Sequence, residues 1–200
     1  SVYEHALPQL EARGTKATFF ITAGWTDTRA GFLRRAQLAE LARLGHSIQS
    51  HGWSHAFLPS CGPAQLRQEL VQPKQLLEDH LGQAVTEISM PFGRWNRRVL
   101  AACRDAGYQR VFTSDAGAAP RHLAGIEVLG RYMARRRTTA AGIAALLASD
   151  PGALRRQWLR RLASRSLQAL LGTPFYHRLW LRWSSAPPEA AAELGEPHPR

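Results

Sequence analysis

The chain has 200 residues, of which 44% are hydrophobic, and this is enough for one domain with a sizeable apolar core. No stretch of about 18 consecutive apolar residues occurs, which excludes a transmembrane helix of ordinary length. The formal net charge is +11, but no nucleic-acid-reading motif accompanies it, so we expect no nucleic-acid partner.

Short apolar runs and amphipathic stretches alternate along the chain. The run at 15–22 is nearly continuous in its apolar character and rich in aromatic and β-branched residues, which is typical of a strand buried on both faces of a parallel sheet. The short stretches between the helices predict strands at residues 15–22, 46–50, 85–90, 108–113 and 126–133.

The amphipathic stretches carry apolar residues at helical spacing. They predict helices at residues 2–13, 32–44, 64–81, 97–106 and 139–148. We expect Pro73 to kink or divide the third of these helices, and Asn96 and Thr138 or Thr139 to cap the last two. Alternating strands and helices predict parallel strands whose C-terminal ends form the ligand site.

The last part of the chain differs in composition from residues 1–150, which we take as one domain. Residues 151–183 contain seven arginines and no acidic residue, and their apolar residues recur at helical spacing. This predicts a basic amphipathic helical extension, which either lies on an anionic membrane surface or packs on the domain with its arginines in solvent. Residues 184–200 are rich in Pro, Ala and Glu, and we expect them to be disordered.

Two histidines, His51 and His55, lie four residues apart directly after the second predicted strand. Neutral imidazole is a common ligand of zinc and other divalent ions, so one ion can accept both side chains. The spacing alone is weak evidence. The 91–96 loop and Asp115 also follow predicted strands, and we therefore expect these groups to line one edge of the sheet.

Four stretches carry a resemblance to a known family. They read Ala-Thr-Phe-Phe-Ile at 17–21, Gly-His-Ser-Ile-Gln-Ser-His-Gly-Trp-Ser-His at 45–55, Met-Pro-Phe-Gly-Arg-Trp-Asn at 90–96 and Gly-Tyr-Gln-Arg-Val-Phe-Thr at 107–113. In this order and spacing the chain resembles the polysaccharide deacetylase family, that is, carbohydrate esterase family four with the NodB-homology domain. The resemblance covers residues 1–148. It implies a distorted, incomplete (β/α) barrel, similar to a TIM barrel, and the metal-dependent removal of acetyl groups from sugars.

The resemblance also implies roles for individual residues. His51 and His55 match two metal ligands, and the expected divalent ion is zinc, with cobalt or nickel as alternatives. Asp115 and Arg131 match supporting positions near the catalytic base. The residues expected to border the sugar, partly as an aromatic wall, are Trp53, Pro91, Phe92, Gly93 and Trp95.

The chain departs from the family pattern in three places. The family's first motif, Phe-Asp-Asp-Gly, supplies the catalytic base and the third metal ligand, but the chain has no Asp before Asp27. Many members have an Arg where this chain has Ser89, and a late Leu-x-His motif is also missing. We therefore expect the base Asp upstream of Ser1, and a barrel that lacks its first strand.

Three functional hypotheses follow. The first is a carbohydrate deacetylase that acts on carbon–nitrogen bonds other than peptide bonds, with an acetylated glycan as substrate. We expect the activity of residues 1–200 alone to be absent or impaired. The second is an inactive glycan-binding domain, and the third is a peripheral membrane protein acting through residues 151–183. No signal peptide is visible, so we expect the bacterial cytoplasm or the periphery of the inner membrane.

Overall fold

The computed structural model describes residues 2–115, 119–132, 134, 138–156, 158–159 and 162–163. It divides into two compact units, Ser1–Arg135 and Arg136–Arg200, which are described separately. Most of the predicted helical extension and the whole of the predicted disordered tail lie outside the described residues.

A six-stranded sheet forms the centre of the first unit. Its strands, in chain order, are β1 Thr18–Ile21, β2 Ser47–Ser50, β3 Glu87–Ser89, β4 Arg110–Phe112, β5 Arg121–Leu123 and β6 Ile126–Leu129. The spatial order is β1-β2-β3-β4-β6-β5. All pairs are parallel except the one between β5 and β6. The α/β class is thus confirmed, whereas closure into a barrel stays a prediction.

A buried apolar row crosses the middle of the sheet. Ile88 pairs with Val111, and Val111 pairs with Val128, so the three side chains form a row across β3, β4 and β6. All three are fully buried. Polar residues next to this row are buried as well, namely Gln49, Ser50, Glu87 and Ser89, so β2 and β3 are not continuous apolar runs.

The edge strand β5 was missed by the sequence pattern, and the expectation of parallel strands is wrong there. Its residues Arg121 and His122 are exposed and polar, so they give no strand signal. A tight turn at Ala124 and Gly125, both with positive φ, reverses the chain into β6. Such a two-residue turn joins antiparallel strands, and it was the one available clue.

The first unit contains four α-helices among its described residues. They are α1 Leu7–Glu11, preceded by a π-helical turn at Val2–Ala6, α2 Arg35–Arg43, α3 Pro63–Leu81 and α4 Arg97–Asp105. Of the two effects expected of Pro73, division of the helix is wrong, because α3 continues through Pro73 as one helix, and a kink stays a prediction. Leu70 and Leu77 on either side of Pro73 are fully buried. Their burial outweighs the cost of about 3 kcal/mol for an internal proline.

The second unit contains the helix α5, Ala140–Leu147. The Thr139 hydroxyl accepts a hydrogen bond from the Gly142 N–H at 3.1 Å, which confirms the threonine cap. Residues 151–156 are also helical. Within the described part of the chain, no helix is both long enough and apolar enough to cross a membrane.

The cap of α4 gives a test of the fold. The Asn96 side chain accepts a hydrogen bond from the Val99 N–H at 2.9 Å, so Asn96→Ala should lower the free energy of unfolding by about 1 kcal/mol. Urea unfolding followed by circular dichroism measures this. Asn96→Ser keeps an acceptor and should retain most of the stability; equal losses in the two variants would contradict the capping role.

Candidate active site

The C-terminal ends of four parallel strands bring the expected site residues to one edge of the sheet. His51 follows β2, Pro91 follows β3, Asp115 follows β4 and Arg131 follows β6. The last residue of β3, Ser89, joins two of these elements. Its carbonyl oxygen lies 2.7 Å from His51 Nδ1, and its hydroxyl accepts a hydrogen bond of 2.7 Å from Arg131 Nη1.

His51 is held at both its backbone and its ring. Its N–H donates to the Ile21 carbonyl at 2.7 Å. The pKa of His51 is lowered to about 4, chiefly by burial; the hydrogen bond to the Ser89 carbonyl raises the pKa in part, and the positive charge of Arg131 lowers it. The ring is therefore neutral near pH 7. A carbonyl can only accept, so Nδ1 carries the hydrogen and Nε2 carries the lone pair that a metal ion uses.

His55 lies beside His51 within an aromatic cluster. The two imidazole centroids are 5.0 Å apart, and the Phe92 and Trp25 rings lie 4.6 and 5.6 Å from the His55 ring. His55 has a φ of +62°, a left-handed backbone that few residues other than glycine adopt. Trp25 was not predicted as a site residue, because nothing in the sequence places its loop beside His55.

A buried carboxylate, Glu69 of α3, holds the turn between the two histidines. Its Oε2 accepts hydrogen bonds from the N–H groups of Trp53 and Ser54, both at 3.0 Å, and its Oε1 accepts one from the Ser54 hydroxyl. Glu69 is only 3% exposed. Glu69 was not predicted as a site residue, although an acidic residue next to Leu70 on the apolar face of a helix was an available signal.

The Pro91–Gly93 turn brings Phe92 to the histidines. Phe92 and Gly93 both have positive φ, at 56° and 63°. A Cβ atom at Gly93 would overlap the side chain and backbone of Ser114, so only glycine allows the turn to lie against the loop after β4. Pro91 and Gly93 are buried and Phe92 is half-buried. All three residues of this turn were expected to border the sugar, and the Phe92 ring lies 4.6 Å from the His55 ring.

Asp115 and Arg131 take part in one hydrogen-bond network at the far side of the site. The Asp115 carboxylate accepts from Trp95 Nε1 at 3.1 Å and from Arg121 Nη2 at 3.2 Å. Arg131 donates from Nε to the Thr113 carbonyl at 2.9 Å and from its backbone N–H to the Asp115 carbonyl at 3.0 Å. The indole N–H of Trp95 is therefore used to orient Asp115.

Trp53 lies on the core side of the histidine turn. It is half-buried and packs against the hydrophobic core, and its carbonyl accepts a hydrogen bond of 2.9 Å from the Gly24 N–H. Its part in sugar binding, like that of Trp95, stays a prediction.

The donor set fits part of a metal site. Neutral imidazoles are suitable ligands for a divalent ion, and the hydrogen bond from Nδ1 of His51 fixes the tautomer that such a ligand needs. Among the residues that the structure describes, however, no three His, Cys, Asp or Glu side chains are placed to hold one ion. The described residues thus offer two donors, His51 and His55.

Comparison with known proteins relates this arrangement to one family. The sequence model of polysaccharide deacetylases matches residues 1–111, which include both histidines, Glu69 and the Pro91–Gly93 turn. The Bacillus subtilis (strain 168) protein YxkH, named as a polysaccharide deacetylase, is 37% identical over 119 residues, which are 60% of this chain and 42% of YxkH. The chitooligosaccharide deacetylase of Bradyrhizobium sp. (strain ANU 289) is 29% identical over 99 residues, 49% of this chain and 43% of that enzyme.

Solved structures agree with the sequence comparison. The Streptococcus pyogenes deacetylase PplD, determined in complex with acetate, superposes with a TM-score of 0.67 at 25% identity, over 72% of this chain and 64% of PplD. The chain spans less than half the length of the two curated relatives above.

The buried carboxylate gives a test of the site's construction. Glu69→Ala removes the acceptor of three hydrogen bonds and should lower the free energy of unfolding by about 3 kcal/mol. In Glu69→Gln the amide oxygen can accept from both N–H groups, and the amide NH₂ can donate to the Ser54 hydroxyl, so we expect a loss of about 1 kcal/mol or less.

Urea unfolding compares these variants, and amide NMR shifts of Trp53 and Ser54 report the turn itself. The matched control is Asp79→Ala, which removes an exposed acid from the same helix and should change stability by less than about 0.5 kcal/mol. Similar losses for the alanine variants at 69 and 79 would show that Glu69 does not hold the turn.

Proposed function

The chain belongs to the polysaccharide deacetylase family, and we propose that it takes part in the hydrolytic removal of acetyl groups from N-acetylated sugars of a glycan. The observation that carries this proposal is the pair of imidazoles, 5.0 Å apart, at the C-terminal ends of the strands. The substrate class is supported by relatives that are named chitooligosaccharide and chitin deacetylases.

We propose that His51 and His55 hold a divalent metal ion, with zinc as the expected ion and cobalt or nickel as alternatives. Such an ion, when bound, lowers the pKa of a coordinated water and polarises an acetyl carbonyl. The protein's own contribution is to keep the His51 ring neutral by burial and to orient it through the Ser89 carbonyl.

The groups around the histidines suit a sugar bearing an acetyl group. Phe92 and Trp25 present aromatic surface on two sides of His55, and aromatic faces pack well against the C–H faces of sugar rings. Arg131 places a positive charge near His51, where it would favour negative charge that develops on the acetyl oxygen. We propose that Asp115, oriented by Trp95 and Arg121, supports this side of the site.

We propose that a carboxylate takes a proton from the attacking water; residues 1–26 contain Glu4 and Glu11 but no Asp. Glu69 is unsuited to that role, because it is buried and already accepts three hydrogen bonds from the histidine turn. The decisive assay compares acetate release by the protein encoded by the full reading frame with acetate release by residues 1–200 alone.

The deacetylase proposal predicts the effect of removing each histidine. In the protein from the full reading frame, with zinc or cobalt added, His51→Ala and His55→Ala should each lower kcat/KM for acetate release from N-acetylated chitotetraose by about 100-fold or more. Calorimetry with zinc should show a matching loss of metal affinity. His122→Ala removes an exposed histidine of β5 and should leave both values unchanged. Full activity in either of the first two variants would refute the assignment.

An inactive glycan-binding domain is the rival proposal, and one observation favours it: the described residues place only two metal donors together. The same experiment separates the two functions. Binding of chitotetraose without any release of acetate, in the protein from the full reading frame, would support the binding domain.

Exposed apolar residues of the second unit favour an additional role at a membrane surface. Trp158, Leu159 and Leu162 are 55%, 47% and 45% exposed, and Arg155 and Arg156 precede them. Apolar side chains beside arginines suit an anionic lipid surface.

This role predicts binding to vesicles that contain phosphatidylglycerol and weaker binding to vesicles of phosphatidylcholine alone. Sedimentation of the protein with vesicles measures the bound fraction, and deleting residues 151–183 should abolish it. A chain that binds equally well without those residues would disprove the membrane role.

A further inference from the structure

Five ring side chains contact one another in a row that includes one histidine of the candidate active site. Each ring centroid lies between 4.6 and 6.2 Å from the next. In order of contact, the rings of this aromatic row belong to Phe57, Phe92, His55, Trp25 and Phe32. Only the three central rings take part in the proposed deacetylation, and Phe57 and Phe32 extend the row at its two ends.

The order of the strands places the aromatic row across the edge of the sheet. Trp25 and Phe32 lie in the segment after β1, His55 follows β2, and Phe92 lies in the turn after β3. Because β2 lies between β1 and β3 and all three are parallel, the segments after β1 and β3 flank the segment after β2 on opposite sides. Phe32 ends the row on the β1 side, and Phe57, which contacts Phe92, ends it on the β3 side.

The aromatic row lies at the protein surface. Phe32 is 44% exposed, and Phe57, Phe92 and Trp25 are half-buried. Among the described residues, the buried core and the side chains packed against it include none of these four rings. Neighbouring aromatic side chains that lie outside the core are typical of a ligand-binding groove.

Local contacts fix the β1 end of the row before any ligand binds. The Trp25 N–H donates to the Thr22 carbonyl at 3.0 Å, and the Trp25 carbonyl accepts from the Arg29 N–H at 3.2 Å. The Arg29 guanidinium carbon lies over the Trp25 ring, 4.4 Å from its centre. Since this group covers one face of Trp25, the exposed Phe32 ring supplies the outer surface at this end. Rings that are already held in place lose little conformational freedom on binding.

The chemistry of the aromatic row suits a chain of sugars. Aromatic faces pack well against the C–H faces of sugar rings. A single sugar at the histidines lies beside Phe92 and Trp25, which adjoin His55 on its two sides. Contact with Phe32 and Phe57, each one ring further along the row, requires additional sugar residues on both sides.

We propose that Phe32 and Phe57 bind the two sugar residues that neighbour the acetylated residue. The substrate is accordingly a chain of at least three N-acetylhexosamine residues, and the residue at the histidines is an internal one. This inference rests on the proposed deacetylase function for the position of the acetylated residue, but the binding of its neighbours is measurable without any catalysis.

Equilibrium binding to residues 1–200 tests this inference. Calorimetry compares N-acetylglucosamine with N-acetylated chitotriose, the shortest chain that reaches both outer rings. The trisaccharide should bind about 10-fold or more tightly than the monosaccharide, because it gains two aromatic contacts. Added salt should leave this difference unchanged, since the contacts join uncharged groups.

Substitution of the outer rings locates the contacts. Phe32→Ala and Phe57→Leu should each weaken chitotriose binding by about 3- to 10-fold and leave monosaccharide binding unchanged. Leucine at position 57 keeps apolar volume for folding but removes the flat ring, whereas Phe32→Tyr keeps a ring and should bind like the unaltered chain. Circular dichroism checks that each variant is folded.

The matched control for the loss of exposed apolar surface is Leu147→Ala. Leu147 belongs to α5 and is 75% exposed, and its substitution should leave chitotriose binding unchanged. An equal loss in this variant or in Phe32→Tyr would show that the aromatic faces are not responsible.

Further outcomes would overturn the inference: no binding of chitotriose, equal affinity for the trisaccharide and the monosaccharide, or unchanged chitotriose binding in both outer-ring variants. A loss confined to one outer ring would contradict the assignment of an internal residue.

Failure of the deacetylase function gives a different result. In that case chitotriose still binds through Phe32 and Phe57, while the protein from the full reading frame releases no acetate from any substrate. If the function holds, tandem mass spectrometry of chitotetraose treated with that protein should place the first deacetylated residue inside the chain. A terminal position would overturn the inference and leave the deacetylase function intact.

Discussion

Ser89, the last residue of β3, connects the elements on which the candidate active site depends. Its carbonyl accepts a hydrogen bond from the ring of His51, which follows β2. Its hydroxyl accepts a hydrogen bond from Arg131, which follows β6. Both contacts require the parallel alignment of β2, β3, β4 and β6, because only parallel strands end on the same edge of the sheet. The neutral His51 ring and the nearby guanidinium charge are therefore consequences of strand order.

A second constraint acts from the opposite side of the histidine turn. Glu69 is buried and satisfies the N–H groups of Trp53 and Ser54, which would otherwise lie unpaired beside the core. The Trp53 carbonyl in this turn accepts a hydrogen bond from the Gly24 N–H, and this bond positions the loop that contains Trp25. One carboxylate on α3 thus holds the turn between the two histidines directly, and the loop that contains Trp25 through one further hydrogen bond.

Much of the fold was predictable from local patterns. The five predicted strands and the main helices occur, with shorter ends, because buried parallel strands and amphipathic helices leave clear periodicities. The edge strand β5 was not predictable in this way, since its pairing with β6 rests on backbone hydrogen bonds and its side chains are largely polar and exposed. The continuity of α3 through Pro73 was not predictable for a related reason. The local cost of a proline is visible in the sequence, but the burial that offsets this cost is a property of the packed helix.

The sequence by itself determined the α/β class and the family resemblance, and it pointed to His51, His55 and Phe92 as candidate site residues, because residue type and spacing along the chain suffice for these. The tertiary structure decided what surrounds them. Glu69, Ser89 and Trp25 lie on three different elements, and each reaches the histidines through a contact between residues far apart in the chain. Such contacts follow from the packing of helices and loops around the sheet, and local sequence patterns carry no record of them.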